Sequence, residues 1–151
     1  MKVAIGSDQW GFDFKKMIIE GFSKNGHEFI DVGTYGKDAV NYPEIAYSLA
    51  KKVSEGECPR GILICGTGIG MALTANKVKG AYAAVCHDVY STERSILSNN
   101  TNIMCLGAQV IGPKVAYSLV DLWLNLKFDR TCNSAIKVEQ IYQIELYNSR
   151  R

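Results

Sequence analysis

The sequence predicts a doubly wound α/β fold, in which helices cover both faces of a five-stranded parallel sheet. Apolar strand patterns alternate with helical patterns along all 151 residues, and this alternation is typical of parallel strands joined by right-handed crossovers. The strands are short and apolar on both sides, as expected for strands buried between two helical layers. The sequence contains no internal repeat, linker or low-complexity tract. Residues 1–151 are therefore expected to form one domain.

Each predicted element has a local reason to begin or end where it does. Asn25-Gly26 ends the first helix, because glycine readily adopts the left-handed geometry that follows a helix. Pro43 fits the first turn of the second helix. Apolar runs predict strands over Val3–Ile5, Glu28–Val32, Ile62–Cys65, Tyr82–Cys86 and Ile103–Leu106. Apolar residues at helical spacing predict helices over Gly11–Lys24, Pro43–Ser54, Gly68–Lys77, Val89–Ser98, Pro113–Leu126 and Ala135–Tyr147.

Composition and charge argue against several classes of protein. The formal net charge is +2 and the basic residues are scattered, so no nucleic-acid-binding surface is predicted. No apolar run approaches the ~18 residues of a membrane span, and the first strand begins at once after Met1-Lys2 rather than after a signal peptide. The five cysteines are odd in number and lack CxxC spacing. They therefore favour a reducing, cytoplasmic location over a disulfide framework or a zinc site.

The stretch Gly61–Gly70, with the sequence GILICGTGIG, joins the third predicted strand to the third predicted helix. A buried strand that breaks into a glycine-rich turn before a helix is where open α/β sheets bind ligands. The glycines allow backbone N–H groups to approach a ligand closely, and a helix N-terminus adds partial positive charge. This environment is expected to favour the thiolate form of Cys65, the last residue of the strand. From this stretch alone, an ordinary turn with a buried structural cysteine stays equally open.

Other candidate site residues follow the remaining strands. The carboxyl ends of parallel strands meet at one edge of the sheet, and ligands bind there. His87 is expected at this edge, either as polar lining or as a proton carrier. The full set expected there is Asp8, the loop before Tyr42, Cys65-Gly66-Thr67, Cys86-His87 and the loop after Leu106.

The motifs of several common enzyme classes are absent from the sequence. There is no GxGxxG after the first strand, so no nicotinamide cofactor is predicted, and there is no P-loop and no GxSxG elbow. No metal is predicted, because the sequence offers no set of ligands for one. What remains is a thiol, a carboxylate, a hydroxyl, a tyrosine and a glycine-rich turn. This set suits proton transfer next to a carbonyl, with backbone N–H groups stabilising the oxyanion that forms. Cofactor-free aldose–ketose isomerisation has these requirements.

Five motifs resemble the ribose-5-phosphate isomerase B family, which includes the galactose-6-phosphate isomerase subunits. They occur in the family order over nearly the whole chain: Gly6-Ser7-Asp8, Tyr42-Pro43, CGTGIG over 65–70, Ala75-Asn76-Lys77, and Asn99 followed by Thr101-Asn102. The resemblance implies a Rossmann-like three-layer fold and a homodimer with shared active sites. It also implies a sugar phosphate substrate, with no metal or other cofactor. The implied reaction interconverts ribose 5-phosphate and ribulose 5-phosphate through an enediolate.

The resemblance further implies roles for individual residues. Cys65 would be the base that moves a proton between C1 and C2, and Thr67 would assist at the substrate oxygens. Residues of the glycine-rich turn would hold the enediolate. The implied substrate-binding residues are Asp8, Gln9, Tyr42, Gly66, Gly68, Gly70, Ser98, Asn99, Gln109, Asn133 and Lys137.

Several of these positions differ from the residues that the family usually carries. Gln9 and Ser98 stand where the family usually has histidine, and the second of these histidines helps to open the sugar ring. Gln109 stands where an arginine is usual, and the segment around Asn133 is neutral instead of basic. Lys137 survives as a basic phosphate ligand, with Arg130 as a substitute nearby. Two alternatives therefore stay open: a paralogue for another sugar (allose or galactose phosphate, or an unphosphorylated sugar), and a non-catalytic sugar-binding subunit.

The last part of the chain carries more apolar and aromatic residues than the cover of one sheet requires. These residues are Trp123, Phe128, Ile141, Tyr142 and Tyr147. Such a surplus is typical of an interface, which supports the implied homodimer. Packing in the core is the alternative explanation, and for Trp123 the two are equally open.

Overall fold

A computed structural model of the chain describes residues Met1–Ser149. Its strands are β1 (Lys2–Ser7), β2 (Glu28–Asp31), β3 (Arg60–Cys65), β4 (Ala83–Val85) and β5 (Ile103–Gly107). Its helices are α1 (Phe12–Ser23), α2 (Tyr42–Ser54), α3 (Ile69–Ala75), α4 (Val89–Leu97), α5 (Pro113–Asn125) and α6 (Ala135–Asn148). Within these residues, no helix combines the length and the hydropathy needed to cross a membrane.

The five strands form one parallel sheet in the order β2-β1-β3-β5-β4. The predicted fold class is therefore confirmed. Strand β3 lies at the centre, with β1 on one side and β5 on the other. The chain leaves β1 toward one edge of the sheet and leaves β3 toward the other, so the crossovers diverge between these two strands. A crevice opens at such a switch point, outside the carboxyl ends of the strands.

Two apolar cores lie on opposite faces of the sheet. Successive side chains of β3 alternate between them: Ile62 and Ile64 pack with residues of α1, α4 and α5, whereas Leu63 and Cys65 pack with residues of α2 and α3. Trp123 of α5 is fully buried in the first core. Of the two explanations left open for Trp123, core packing is the correct one.

β4 and α3 are among the elements that are shorter than the sequence predicts. The predicted strand Tyr82–Cys86 is reduced to β4. At its start, the backbone N–H of Tyr82 donates to the Asn102 side chain (2.7 Å) instead of to a strand. Helix α3 ends before Asn76, whose side-chain amide bonds both the N–H and the carbonyl of Ala83 (2.8 and 2.9 Å). In both places a side-chain amide bonds the backbone at or next to β4, and a pattern of apolar residues does not reveal such a contact.

Helix α6 lies largely outside both cores. Val138 is its one buried residue within the described part of the chain, while Ile136, Ile141 and Ile144 are exposed. Its carboxylate Glu145 ties it to the domain by accepting hydrogen bonds from the Tyr82 hydroxyl (2.8 Å) and the Gly80 N–H (3.1 Å). Burial and the Glu145 carboxylate raise the pKa of Tyr82 above its usual value, so this hydroxyl stays protonated at neutral pH.

A buried lysine fixes the loop that leads from β2 to α2. Lys15 of α1 is 1% exposed, and its ammonium pairs with Asp31 (2.7 Å) and donates to the carbonyl of Thr34. The Asp31 carboxylate also accepts the Gly33 N–H (2.9 Å). The start of this loop is further held to β1 by two backbone hydrogen bonds with Ser7 (2.7 Å each). The first residues of this loop are therefore held by the buried Lys15 charge and by these two backbone hydrogen bonds.

Replacement of Lys15 by methionine is expected to lower the free energy of unfolding by about 2 kcal/mol, because hydrogen bonds to a charged group are lost inside the protein. The matched control is Lys37→Met. Lys37 pairs with Asp13 at the same 2.7 Å, but both side chains are about two-thirds exposed (67% and 69%). Exposed pairs contribute little, so the control is expected to change stability by less than about 0.5 kcal/mol. Urea denaturation of both variants measures the difference, and equal losses would contradict a special role for Lys15.

Candidate active site

A cavity of about 320 Å³ opens at the carboxyl ends of β1 and β3. Nine described residues line it: Asp8, Gln9, Trp10, Val40, Tyr42, Cys65, Gly66, Thr67 and Gly70. The cavity lies at the switch point of the sheet, where an open α/β fold is expected to bind its ligand. Larger cavities exist elsewhere on the surface, but they lack the thiol and the glycine-rich turn.

Cys65 ends the central strand, and its thiol faces the glycine-rich turn. The thiol is 6% exposed, and the backbone N–H of Gly68 donates a hydrogen bond to its sulfur at 3.0 Å. Gly68 has φ of 79°, the left-handed conformation that glycine adopts without strain. A donor in this position stabilises a sulfur that carries negative charge.

The loop after β5 fixes the turn from the other side. The N–H of Ala108 donates to the Cys65 carbonyl (2.8 Å), and the N–H of Gln109 donates to the Gly66 carbonyl (3.0 Å). Gly107 lies so close to the turn that a Cβ there would approach the Thr67 backbone to 2.8 Å. The Thr67 hydroxyl accepts the Ile69 N–H at 3.3 Å, and the Thr67 residue itself is exposed to the cavity. The turn is thus held by backbone contacts while its hydroxyl stays accessible to a ligand.

Asp8 and Gln9, which follow β1, form one wall. The Asp8 carboxylate accepts the N–H groups of Trp10 (2.9 Å) and Gly11 (3.1 Å). Burial raises the pKa of Asp8, and these two hydrogen bonds oppose that rise. The Gln9 side-chain carbonyl accepts the Val40 N–H (3.3 Å), which leaves its amide N–H groups for a ligand.

Tyr42 forms the opposite wall, against the turn. A Cβ on Gly70 would lie 2.5 Å from the Tyr42 hydroxyl oxygen. Glycine at position 70 is therefore what allows the tyrosine to reach the turn. The phenol is 38% exposed, so a ligand can meet it.

His87 is not among the residues that line the cavity. Its Nε2 accepts the N–H of Gly107 at 2.8 Å, and burial lowers the pKa of its imidazole. A histidine that accepts a hydrogen bond at Nε2 is in its neutral form. His87 therefore supports the loop after β5, a role that neither of the two sequence-based alternatives describes.

The predicted site residues fall into two groups. The first group lines the cavity or contacts the residues that line it: Asp8, Gln9, Tyr42, Cys65, Gly66, Thr67, Gly68, Gly70 and Gln109. The others lie apart from it in the same chain: Ser98 and Asn99 at the end of α4, and Asn133 and Lys137 around the start of α6. The Asn99 amide donates to the Arg94 carbonyl (3.1 Å) and lines a separate surface cavity. One chain therefore brings part of the predicted set together at the cavity, but not the whole of it.

Sequence reasoning did not single out Trp10, which lines the cavity. Trp10 stands two residues after Asp8 in the stretch that follows β1, and this position was the available signal. Val40 also lines the cavity, and it belongs to the loop before Tyr42, which the sequence analysis expected at this edge without naming the residue.

Selective alkylation tests whether Cys65 reacts faster than the other buried cysteines. Burial raises the pKa of Cys58, Cys86 and Cys105, the last well above its usual value. Because Cys132 is only half-buried, the experiment uses a Cys132→Ser background. Iodoacetamide at pH 7 is expected to modify Cys65 first, as read by peptide mass spectrometry. Equal labelling of Cys65 and Cys105 would contradict an accessible, activated thiol.

The model of the ribose/galactose isomerase family matches residues 3–141 of the chain. The chain belongs to this family. It is 46% identical to a ribose-5-P isomerase B of Listeria innocua over 98% of this chain and 99% of that protein. It is 44% identical to D-erythrulose-4-phosphate isomerase 2 of Mycolicibacterium smegmatis, over 96% of this chain and 97% of the relative. The structure of ribose-5-phosphate isomerase B from Clostridium thermocellum superimposes with a TM-score of 0.94 at 42% identity, covering 98% of this chain and 99% of the other.

Membership of the ribose/galactose isomerase family makes the chain a sugar phosphate aldose–ketose isomerase. The resemblance stated from the motifs is thereby confirmed. A thiol, a glycine-rich turn and an open cavity meet at the end of β3, and proton transfer next to a carbonyl can use such groups.

Proposed function

We propose that the chain interconverts ribose 5-phosphate and ribulose 5-phosphate, with Cys65 as the base. The observation that carries this proposal is the Cys65 sulfur at the cavity, 3.0 Å from the Gly68 N–H that donates to it. Relatives of both kinds, ribose-5-phosphate and D-erythrulose-4-phosphate isomerases, are about equally similar to the chain. Similarity to these relatives therefore does not decide between the two substrates.

The proposed reaction moves one proton between two carbons. The Cys65 thiolate takes the proton from C2 of the open-chain aldose, the C2–H electron pair forms the C1–C2 double bond, and O1 becomes negative. The protonated thiol then returns the proton to C1 while the C2 hydroxyl loses its proton, which passes to O1, and C2 becomes the carbonyl. Thr67 is placed to assist at these oxygens, and N–H groups of the turn stabilise the negative charge. Asp8 and Tyr42 bind the sugar hydroxyls from the two walls.

The residues that lie apart from the cavity are proposed to act in a second copy of the chain. Asn99, Asn133 and Lys137 are exposed, and α6 presents exposed isoleucines that a partner would cover. A two-fold dimer would bring these residues of one copy to the Cys65 cavity of the other. Lys137 would then supply positive charge to the phosphate, where Gln9, Gln109 and Asn133 offer only neutral hydrogen bonds.

Mixing two variants tests the shared site directly. Cys65→Ala and Lys137→Ala are each expected to be slow, but after random exchange of subunits one intact site forms in each mixed dimer. The mixture is therefore expected to recover about a quarter of the wild-type activity, because half of the dimers are mixed and each has one of two sites intact. Activity that never exceeds the mean of the two parents, or a pure monomer in sedimentation at micromolar concentration, would contradict the shared site.

A second candidate substrate is a tetrose 4-phosphate. Ser98 stands where the family resemblance places the ring-opening histidine, and a hydroxyl is a much weaker acid–base group than an imidazole. Erythrose 4-phosphate needs no ring opening, since its C4 oxygen is esterified and cannot close a ring onto C1. The change at Ser98 is compatible with this substrate, and two of the relatives named D-erythrulose-4-phosphate isomerases are 44% and 43% identical to the chain.

Initial-rate assays with both aldose phosphates distinguish the two candidates. Ribose 5-phosphate is expected to give ribulose 5-phosphate, detected as ketose. If kcat/KM is far higher for erythrose 4-phosphate than for ribose 5-phosphate, the tetrose phosphate is the substrate instead. Conversion of neither sugar phosphate, with the folded dimer intact, would overturn the proposed function.

A further inference from the structure

Trp10 is a large exposed apolar side chain at a cavity that otherwise offers mostly polar groups. Its indole is 58% exposed, whereas the second tryptophan, Trp123, is fully buried. An exposed indole is unfavourable in water, and aromatic side chains at cavity walls commonly pack on ligands. The position of Trp10 therefore calls for an explanation through the ligand.

The backbone that carries Trp10 is rigid. The Asp8 carboxylate accepts the Trp10 and Gly11 N–H groups at 2.9 and 3.1 Å. Gly11 packs so closely on β3 that a Cβ there would lie 2.6 Å from the Ile64 carbonyl oxygen. The indole consequently projects from a fixed backbone position at the cavity wall.

This wall stands beside the reacting end of the cavity. A Cβ on Gly66 would lie 3.8 Å from Cδ1 of Trp10 and 2.9 Å from the Gln109 side-chain oxygen. The indole and the Gln109 amide thus flank the residue that directly follows Cys65. A carbon chain whose first atoms lie at the Cys65 thiol therefore begins beside the Trp10 indole.

We propose that Trp10 determines substrate specificity: its indole packs on the carbon chain of the bound sugar phosphate and sets the chain length that the site accepts. The inference rests on the proposed function, since it assumes that the cavity binds a sugar phosphate at Cys65. The inference assigns Trp10 an apolar contact with the carbon chain of the substrate and no role in proton transfer. Truncation to alanine removes this wall and leaves room for longer chains.

The test compares kcat/KM for erythrose 4-phosphate, ribose 5-phosphate and allose 6-phosphate. Trp10→Ala is expected to shift the ratio of kcat/KM toward the longer substrates by roughly tenfold or more, the range that apolar pocket contacts discriminate. Trp10→Phe is expected to fall between alanine and wild type. Tyr47→Ala is the matched control, because Tyr47 is a similarly exposed aromatic (55%) that does not line the cavity, and its ratios are expected to equal those of the wild type.

Fluorescence separates failure of this inference from failure of the proposed function. In the Cys65→Ala variant, which binds without turnover, a sugar phosphate is expected to shift the Trp10 emission to shorter wavelength and saturate. The shift disappears when Trp10→Phe is added and only Trp123 remains. If wild type isomerises a sugar phosphate but Trp10→Ala keeps all ratios unchanged, the inference alone is overturned. If no sugar phosphate is converted and none shifts the emission, the proposed function fails and the inference with it.

Discussion

Replacement of Cys65 by alanine is expected to abolish isomerisation while the fold and ligand binding persist. Removal of a positioned general base lowers the rate by up to about 10⁴-fold, and the described cavity offers no second thiol. The side chain is small and packs at the edge of the core on the α2–α3 face, so the lost packing is slight. Exchange of the C2 hydrogen with deuterated water, followed by NMR, measures the proton transfer itself.

Cys105→Ala is the matched control for this variant. Cys105 is fully buried, lies on the same face of the sheet in the adjacent strand and does not line the cavity. Its variant is expected to keep turnover near the wild-type value. Cys65→Ser should be as slow as alanine, because a hydroxyl is far less acidic than a thiol. Wild-type exchange in Cys65→Ala would show that another group is the base and would reopen the non-catalytic alternative for the thiol.

The centre of the site could be predicted from the sequence because it is encoded locally. An apolar run, a cysteine and closely spaced glycines specify β3, the turn and the start of α3 within ten residues. Because the carboxyl ends of parallel strands meet at one edge of the sheet, Asp8 and Cys65 are expected at the same edge even when the strand order is unknown. Both residues line the cavity in the structure.

Other features depend on contacts between distant parts of the chain and could not be predicted in this way. A lysine in an amphipathic helix is normally expected in solvent, whereas the partners of the buried Lys15, Asp31 of β2 and the Thr34 carbonyl, lie in a distant part of the chain. His87 meets Gly107 across neighbouring strands, so its hydrogen bond depends on the strand order. The predicted roles of Ser98, Asn99, Asn133 and Lys137 depend on a second copy of the chain, and they stay predictions.

Replacement of Gly68 by alanine is expected to reduce kcat roughly tenfold, less than the roughly 100-fold that a 1 Å misplacement can cost, because the close contacts require shifts of only a few tenths of an ångström. Gly68 has φ of 79°, and an added Cβ would lie 3.1–3.2 Å from three backbone atoms of Leu106. Backbone atoms of a central strand do not move aside as a flexible side chain does. The turn must shift instead, which weakens the hydrogen bond from the Gly68 N–H to the Cys65 sulfur.

Gly56→Ala separates backbone strain from the effect on the site. Gly56 has nearly the same φ of 78°, but an added Cβ meets nothing within 4 Å. Both variants place alanine in left-handed geometry, so both are expected to lose about 1 kcal/mol of stability in thermal or urea unfolding. Only Gly68→Ala is expected to lose turnover as well, with KM changing less than kcat, because the group it displaces acts on the reacting carbons. If the two variants keep equal activity, the N–H contact to Cys65 does not contribute to catalysis, and the thiol must be activated by other donors of the turn.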